Sequence, residues 1–65
     1  MIRRLLAWWH ARQRAIDIEI LWPACRDQAP DLMHAREAFY VYAMCDEAWR
    51  SLGHEELTGI IEGLQ

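Results

Sequence analysis

The sequence predicts a small all-α domain of three helices, spanning residues 1–65 and completed by oligomerisation. Apolar residues make up 54% of the chain and recur at helical spacing. A chain of this length buries only about 60% of the surface that its unfolded form exposes, so association with further chains is the expected source of added stability. Helix-breaking residues are few and divide the chain into three stretches: Pro23, Pro30, Gly53, Gly59 and Gly63.

The first helix is predicted to run from Ile2 to Trp22. It either ends at Pro23 or continues with a kink to Gln28, because proline is costly inside a helix. A competing prediction is a β-strand over residues 16–20, where β-branched isoleucines alternate with acids. No second strand with a turn is available to pair with it, so a helix is favoured.

The second helix is predicted to begin around Pro30 and Asp31 and to end at about Ser51. Asp31 suits the N-cap, where its side chain can accept a hydrogen bond from a free backbone N–H. Gly53 fits the left-handed position that closes such a helix. The third helix is then expected over roughly residues 54–64, with glutamates in its first turn that match the helix dipole.

Apolar stripes along these helices predict the core. In the third helix the spacing i, i+3, i+4, i+7 gives one apolar face, and the second helix has a comparable face. The first helix contributes one of its stripes. The residues expected in the core are Leu5, Trp9, Ile16, Ile20, Phe39, Tyr42, Trp49, Leu57, Ile60 and Ile61.

The first helix has a second apolar stripe, roughly 150° around its axis from the first. One helical hairpin cannot cover both stripes, and monomers rarely leave large contiguous apolar patches exposed. Tryptophan is moreover a frequent anchor of protein interfaces. We therefore expect this stripe to contact another chain, first of all a second copy; its residues are Trp8, Ala11, Ala15, Ile18 and Trp22.

Charge is distributed unevenly along the chain. Residues 1–16 contain four arginines and no acid, a charge of +4, whereas residues 17–65 contain three arginines and ten acids, a charge of −7. This asymmetry favours an antiparallel homo-oligomer or an acidic partner. The candidate contacts for an acidic partner, or alternatively for nucleic acid, are Arg3, Arg4, Arg12 and Arg14.

Nucleic-acid binding is the alternative function because arginines next to Trp8 and Trp9 could hold phosphates and stack on bases. The helix expected over residues 54–64 contains three acids and no Lys or Arg, so it would repel phosphates. The net charge of −3 points the same way.

Thiol and imidazole groups raise the question of a metal site. Cys25, His34, Cys45 and His54 are zinc-ligand types, but each Cys-to-His interval is nine residues and no short ligand pair exists. Whether the four meet is left open by the sequence. We expect no metal, no cofactor and no enzymatic activity, because no phosphate-binding loop or catalytic motif is present either.

Membrane insertion is not expected, since no stretch approaches the roughly 20 apolar residues needed to span a bilayer. The arginine- and tryptophan-rich start could instead lie on a membrane surface, but Asp17 and Glu19 in the following apolar run would disfavour anionic lipid. We expect a cytoplasmic protein of a bacterial host, with reduced cysteines.

Two sequence blocks, IDIEILWPACRDQAPDL and HAREAFYVYAMCDEAW, resemble the short helical proteins carried by phages and prophages of GC-rich bacteria. This resemblance implies that the chain holds or inhibits a host or phage protein, as in anti-defence systems. Together with the apolar stripes, it predicts a homo-oligomeric protein-binding module that acts as an adaptor or inhibitor.

Overall fold

The computed structural model describes residues 2–65 and confirms the all-α class. Within this range there is no strand, so the alternative over residues 16–20 is wrong. The molecule measures 43 × 22 × 18 Å. Its elements are α1 (Ile2–Ile16), a π-helical turn (Asp17–Leu21), α2 (Trp22–Gln28), α3 (Leu32–Met44), α4 (Glu47–Arg50) and α5 (His54–Glu62).

The first helical stretch continues to Gln28, and Pro23 lies in the first turn of α2, just after the π turn, so it does not end the stretch. Proline has no N–H, and in an α-helix its ring would clash with the carbonyl four residues earlier, that of Glu19. The π turn lies immediately before Pro23, and the Trp22 N–H donates to the carbonyl of Asp17, five residues back. The wider turn is a local change of the kind that relieves a proline clash.

The π turn also decides which side chains face the core. In an α-helix, two residues five positions apart point about 140° away from each other, whereas a π turn closes after about five residues. Asp17 and Trp22 consequently lie on the same side of the stretch. Both are buried, with 5% and 8% of their surface exposed.

The second predicted helix is divided in two. Asp31 is its N-cap, as predicted, and accepts a hydrogen bond of 2.8 Å from the His34 N–H. The predicted end at Ser51 is wrong, because α3 stops at Met44 and Asp46 caps a new short helix by accepting from the Ala48 N–H at 2.9 Å. Aspartate favours such a cap over a helix interior, where it competes for backbone N–H groups.

Gly53 joins α4 to α5 with a φ of 87° and a ψ of 159°. The positive φ explains why glycine occupies this position, since side chains with a Cβ rarely adopt it. The residue serves as the N-cap of α5, and its ψ places it outside the left-handed helical region that the sequence predicted.

The centre of the core is a row of three aromatic rings. Phe39 lies edge-on to Trp22 at a centroid distance of 5.9 Å and to Trp49 at 5.3 Å. Such T-shaped pairs add about 0.5–1.5 kcal/mol each beyond area burial. The Trp49 indole N–H donates to Asp17 Oδ2 at 2.8 Å, which satisfies the one polar atom of the ring.

Several core predictions are confirmed and several are wrong. Phe39, Trp49, Leu57 and Ile61 are buried, and Ile60 is partly buried against them. The buried line of α3 is Ala35, Phe39 and Ala43, which leaves Tyr42 at its edge. The predicted core residues that are exposed are Leu5, Trp9, Ile16, Ile20 and Tyr42.

We predict that Asp17→Ala lowers the free energy of unfolding by about 1–3 kcal/mol, because it leaves the buried Trp49 indole N–H without an acceptor. Asp17→Asn should cost less, since an amide oxygen can still accept that bond and Gln13, which donates to Asp17 at 3.1 Å, can rotate its own amide. Urea unfolding at one fixed protein concentration measures both. Equal stability of Asp17→Ala and wild type would contradict the role given to this bond.

The start of α3 contains an exposed ion pair. His34 Nδ1 lies 2.8 Å from Asp31 Oδ1. The backbone hydrogen bond from His34, followed by the side-chain bond, lowers the pKa of Asp31. The side-chain hydrogen bond to Asp31 and then its charge raise the pKa of His34.

We predict that this pair makes the chain less stable as the pH rises past neutrality. The raised pKa of His34 means that its contribution is complete below the unfolded value, about 6.5, and is lost as pH rises through the folded value. Urea unfolding at about pH 5.5 and pH 8 should show a larger decline in wild type than in His34→Ala. The difference between the two chains should be small and sensitive to salt, because both groups are exposed. Identical declines would mean that the pair adds nothing to the free energy of unfolding.

Candidate interaction surfaces on α1

Helix α1 contributes no buried residue to the domain. Its attachment to α4 is polar: Arg14 Nη1 donates to the carbonyl of Ala48 at 2.6 Å and to Ser51 Oγ at 3.4 Å. The Ser51 hydroxyl in turn donates to the same carbonyl at 2.9 Å. These bonds hold the C-terminal part of α1 against the domain.

The inner face of α1, which is turned towards α4 and the turn before α5, combines basic residues with Leu6 and Ala7. His10 and Arg14 are its half-buried residues, while the rest of α1 is exposed. This face forms one wall of a cleft of about 370 Å³. The residues lining the cleft are Arg3, Leu6, Ala7, His10, Arg14, Ser51 and Leu52.

The opposite side of the helix presents large apolar side chains to solvent. We refer to Ile2, Leu5, Trp9, Ile16 and Ile20 as the outer stripe. Ile2 is 76% exposed, Trp9 54% and Ile20 68%. At a rise of 1.5 Å per residue, the outer stripe is about 27 Å long.

Helix α1 therefore differs from an ordinary surface helix, which turns its apolar side to its own core, because it buries none of its large apolar side chains. Leu5, Trp9, Ile16 and Ile20 of the outer stripe were predicted to be core, and the structure places all four on the surface. The physical reason is that the domain side of this stretch is taken by Asp17, which bonds to Trp49, and by Arg14, which bonds to Ala48, so that the outer stripe is turned away.

The stripe predicted as an interface is divided by the structure. Trp8, Ala11 and Ala15 are exposed, and for these three the predicted contact with another chain stays a prediction. Ile18 is half-buried against the core. Trp22 lies in the core and packs on Phe39, so its expected contact with another chain is corrected to a contact within the chain.

The four N-terminal arginines also lie on different sides of α1. Arg3 and Arg14 line the cleft. The guanidinium of Arg12 lies 5.7 Å from the ring centroid of Trp8, which itself meets the Trp9 ring edge-on at 5.3 Å. Arg4 is exposed outside the cleft. The arginines thus lie both inside and outside the cleft lining, and their predicted contact with an acidic partner, or alternatively with nucleic acid, stays a prediction.

The cysteines and histidines do not form a cluster. In the part of the chain that the structure describes, no group of three His, Cys, Asp or Glu side chains could hold a metal ion. Cys25 packs against the core, where burial raises the pKa of its thiol, and Cys45 is exposed; both are free thiols. His34 pairs with Asp31, and His54 lies edge-on to the Tyr40 ring at 6.5 Å.

Sequence reasoning missed the buried Asp17 and the cleft beside α4. The signal for Asp17 was an acid within the apolar run IDIEIL, six residues before a proline. The cleft had no comparable signal, because its second wall comes from Ser51 and Leu52, more than thirty residues away in the chain.

Among residues 2–65, none of the helices is both long and apolar enough to cross a membrane. No family model matches the chain, and neither a curated protein nor a solved structure is significantly similar to it.

Proposed function

We propose that the chain is a protein-binding module whose first partner is a second copy of itself, joined through the outer stripe of α1. The observation that carries this proposal is the exposure of the outer stripe: four of its residues, Ile2, Leu5, Trp9 and Ile16, lie on α1, which buries no residue, and Ile20 lies in the π turn that follows. Monomeric soluble proteins rarely expose contiguous apolar patches above a few hundred Å², and larger ones mark interaction sites. Pairing two copies would remove both stripes from water.

The spacing of the outer stripe fits helix pairing. Ile2, Trp9 and Ile16 follow one another at intervals of seven residues, with Leu5 and Ile20 between or beyond them. A seven-residue apolar repeat is the pattern by which two helices pack along a shared seam. In an antiparallel pair centred on Trp9, Ile2 of one copy faces Ile16 of the other.

Charge favours the antiparallel arrangement. In a parallel pair, Arg3 and Arg4 of both copies would lie side by side and repel each other. An antiparallel pair instead places the far end of each stripe, where Glu19 lies, within about one helical turn of the arginine-rich start of the other.

The same proposal includes a role for the assembled chain as an adaptor or inhibitor of another protein. The resemblance to small phage and prophage proteins supports such a role. The acidic residues of α5, Glu55, Glu56 and Glu62, stay exposed away from α1 and are available to a basic partner.

We predict that light scattering during size exclusion gives a multiple of 7.7 kDa for the wild-type chain. Trp9→Ala combined with Ile16→Ala should shift the mass towards 7.7 kDa at the same concentration, because it removes the centre of the seam and one residue of the contact at each end. Val41→Ala is the matched control, since Val41 is 64% exposed but lies on α3. A wild-type chain that stays monomeric over about a hundredfold concentration range would overturn the proposal.

The direction of pairing can be tested by cross-linking in a chain whose own cysteines are replaced, Cys25→Ala and Cys45→Ser. We predict that Ile2→Cys alone forms little disulfide-linked dimer, whereas a mixture of Ile2→Cys and Ile16→Cys chains forms the mixed dimer under mild oxidation. A parallel pair would give the reverse result. Denaturing gels read both outcomes directly.

A further inference from the structure

The cleft between α1 and the turn after α4 combines apolar walls with positive charge. Leu6, Ala7 and Leu52 provide the apolar surface. Of the described residues that line it, the ionisable ones are Arg3, His10 and Arg14, all of them basic. Its volume of about 370 Å³ falls in the range of small-molecule sites, which are typically apolar with a few convergent polar groups.

Arg14 is already held in position before any ligand arrives. Within residues 2–65 its hydrogen bonds use only Nη1, which donates to Ala48 and Ser51. The Nε and Nη2 donors of the guanidinium are therefore available to another acceptor. A fixed guanidinium loses little conformational entropy on binding, and its planar set of donors matches a carboxylate or phosphate.

A second cleft, of about 400 Å³, shows that this charge pattern is not general to the molecule. It lies between α3 and α5, and there Arg36 is accompanied by Glu37. The Arg36 guanidinium donates through Nε to the carbonyl of Leu64 at 2.8 Å. This bond holds the C-terminal end of the chain against α3. Of these two clefts, the one on α1 has an excess of positive charge in its lining, whereas the other does not.

We propose that the α1 cleft binds a small organic anion, with a carboxylate or phosphate head group on an apolar body of a few carbons. The head group is held by Arg3 and Arg14, with His10 beside them, and the apolar body lies against Leu6 and Leu52. The site is on the inner face of α1, so it is separate from the outer stripe and goes beyond the self-association proposed above.

The test is a titration followed by NMR, with the backbone amide signals of Ser51 and Leu52 as reporters. Three probes separate the contributions: hexanoate carries both features, inorganic phosphate the charge alone, and hexanol the apolar chain alone. We predict saturable shifts with hexanoate and weaker binding of phosphate and hexanol. Equal binding of hexanol and hexanoate, or no shift with either anion, would overturn the proposal.

The matched variants are Arg3→Gln and Arg4→Gln, which remove the same charge from adjacent exposed positions, inside and outside the cleft lining. Arg3→Gln should weaken hexanoate binding by at least about tenfold, the loss expected for one charged hydrogen-bonding partner, while Arg4→Gln should not. Equal affinities in the two variants would refute the assignment. Light scattering on the same samples should show wild-type mass for both, so failure of the anion site and failure of self-association are distinguishable.

Discussion

The structure depends on a carboxyl group that the fold takes out of water. Asp17 is the one buried charged residue among residues 2–65, and burial of such a group is tolerated only with good hydrogen-bond partners. The Trp49 indole and the Gln13 amide provide them, at 2.8 and 3.1 Å. This connection ties the first helical stretch to α4, and through the row of aromatic rings it orients α3 as well. The π turn before Pro23 brings Asp17 and Trp22 to the same side of the helix. The bond from Trp49 to Asp17 and the burial of Trp22 are therefore both possible.

The arrangement of α1 follows from the hydrogen bonds that hold it to the domain. Asp17, just after α1, bonds to Trp49, and Arg14 within α1 bonds to Ala48 and Ser51, whereas α1 itself buries no residue. The large apolar side chains are left on the outside. A helix attached in this way needs further contacts to be stable, since helices in proteins gain most of their stability from packing an apolar face. Self-association through that face would provide the missing packing, and the cleft on the other side is free for a ligand.

The regular parts of the fold could be predicted from the sequence. Asp31 as a cap, the apolar face of α5 and the burial of Phe39 and Trp49 all follow from local preferences and helical spacing. The errors have three physical causes. A uniform rotation of 100° per residue does not hold across residues 17–21, where the helix is wider, so it predicts the wrong surface for Trp22. The first helix meets the domain through the hydrogen bonds of Asp17 and Arg14, which an apolar pattern does not reveal, so Ile16 and Ile20 were wrongly predicted in the core. In addition, the apolar pattern continues on both sides of Asp46 and predicts one unbroken helix. The preference of aspartate for the N-cap, which divides the helix at this position, is a weaker signal in the sequence. The cleft depends on contacts distant in sequence, which periodicity cannot reveal.

The absence of buried residues from α1 also affects which substitutions the chain can accept. Replacing a core residue such as Phe39 leaves a cavity or a clash, so the identity of that residue is tightly restricted. Most positions of α1 carry no such restriction, apart from those that hold it to α4. The helix can therefore diversify in sequence, on either of its faces, while α2–α5 keep the same packing. Single substitutions on the exposed faces of α1 can thus change the surface chemistry of the molecule without altering the packing of its core.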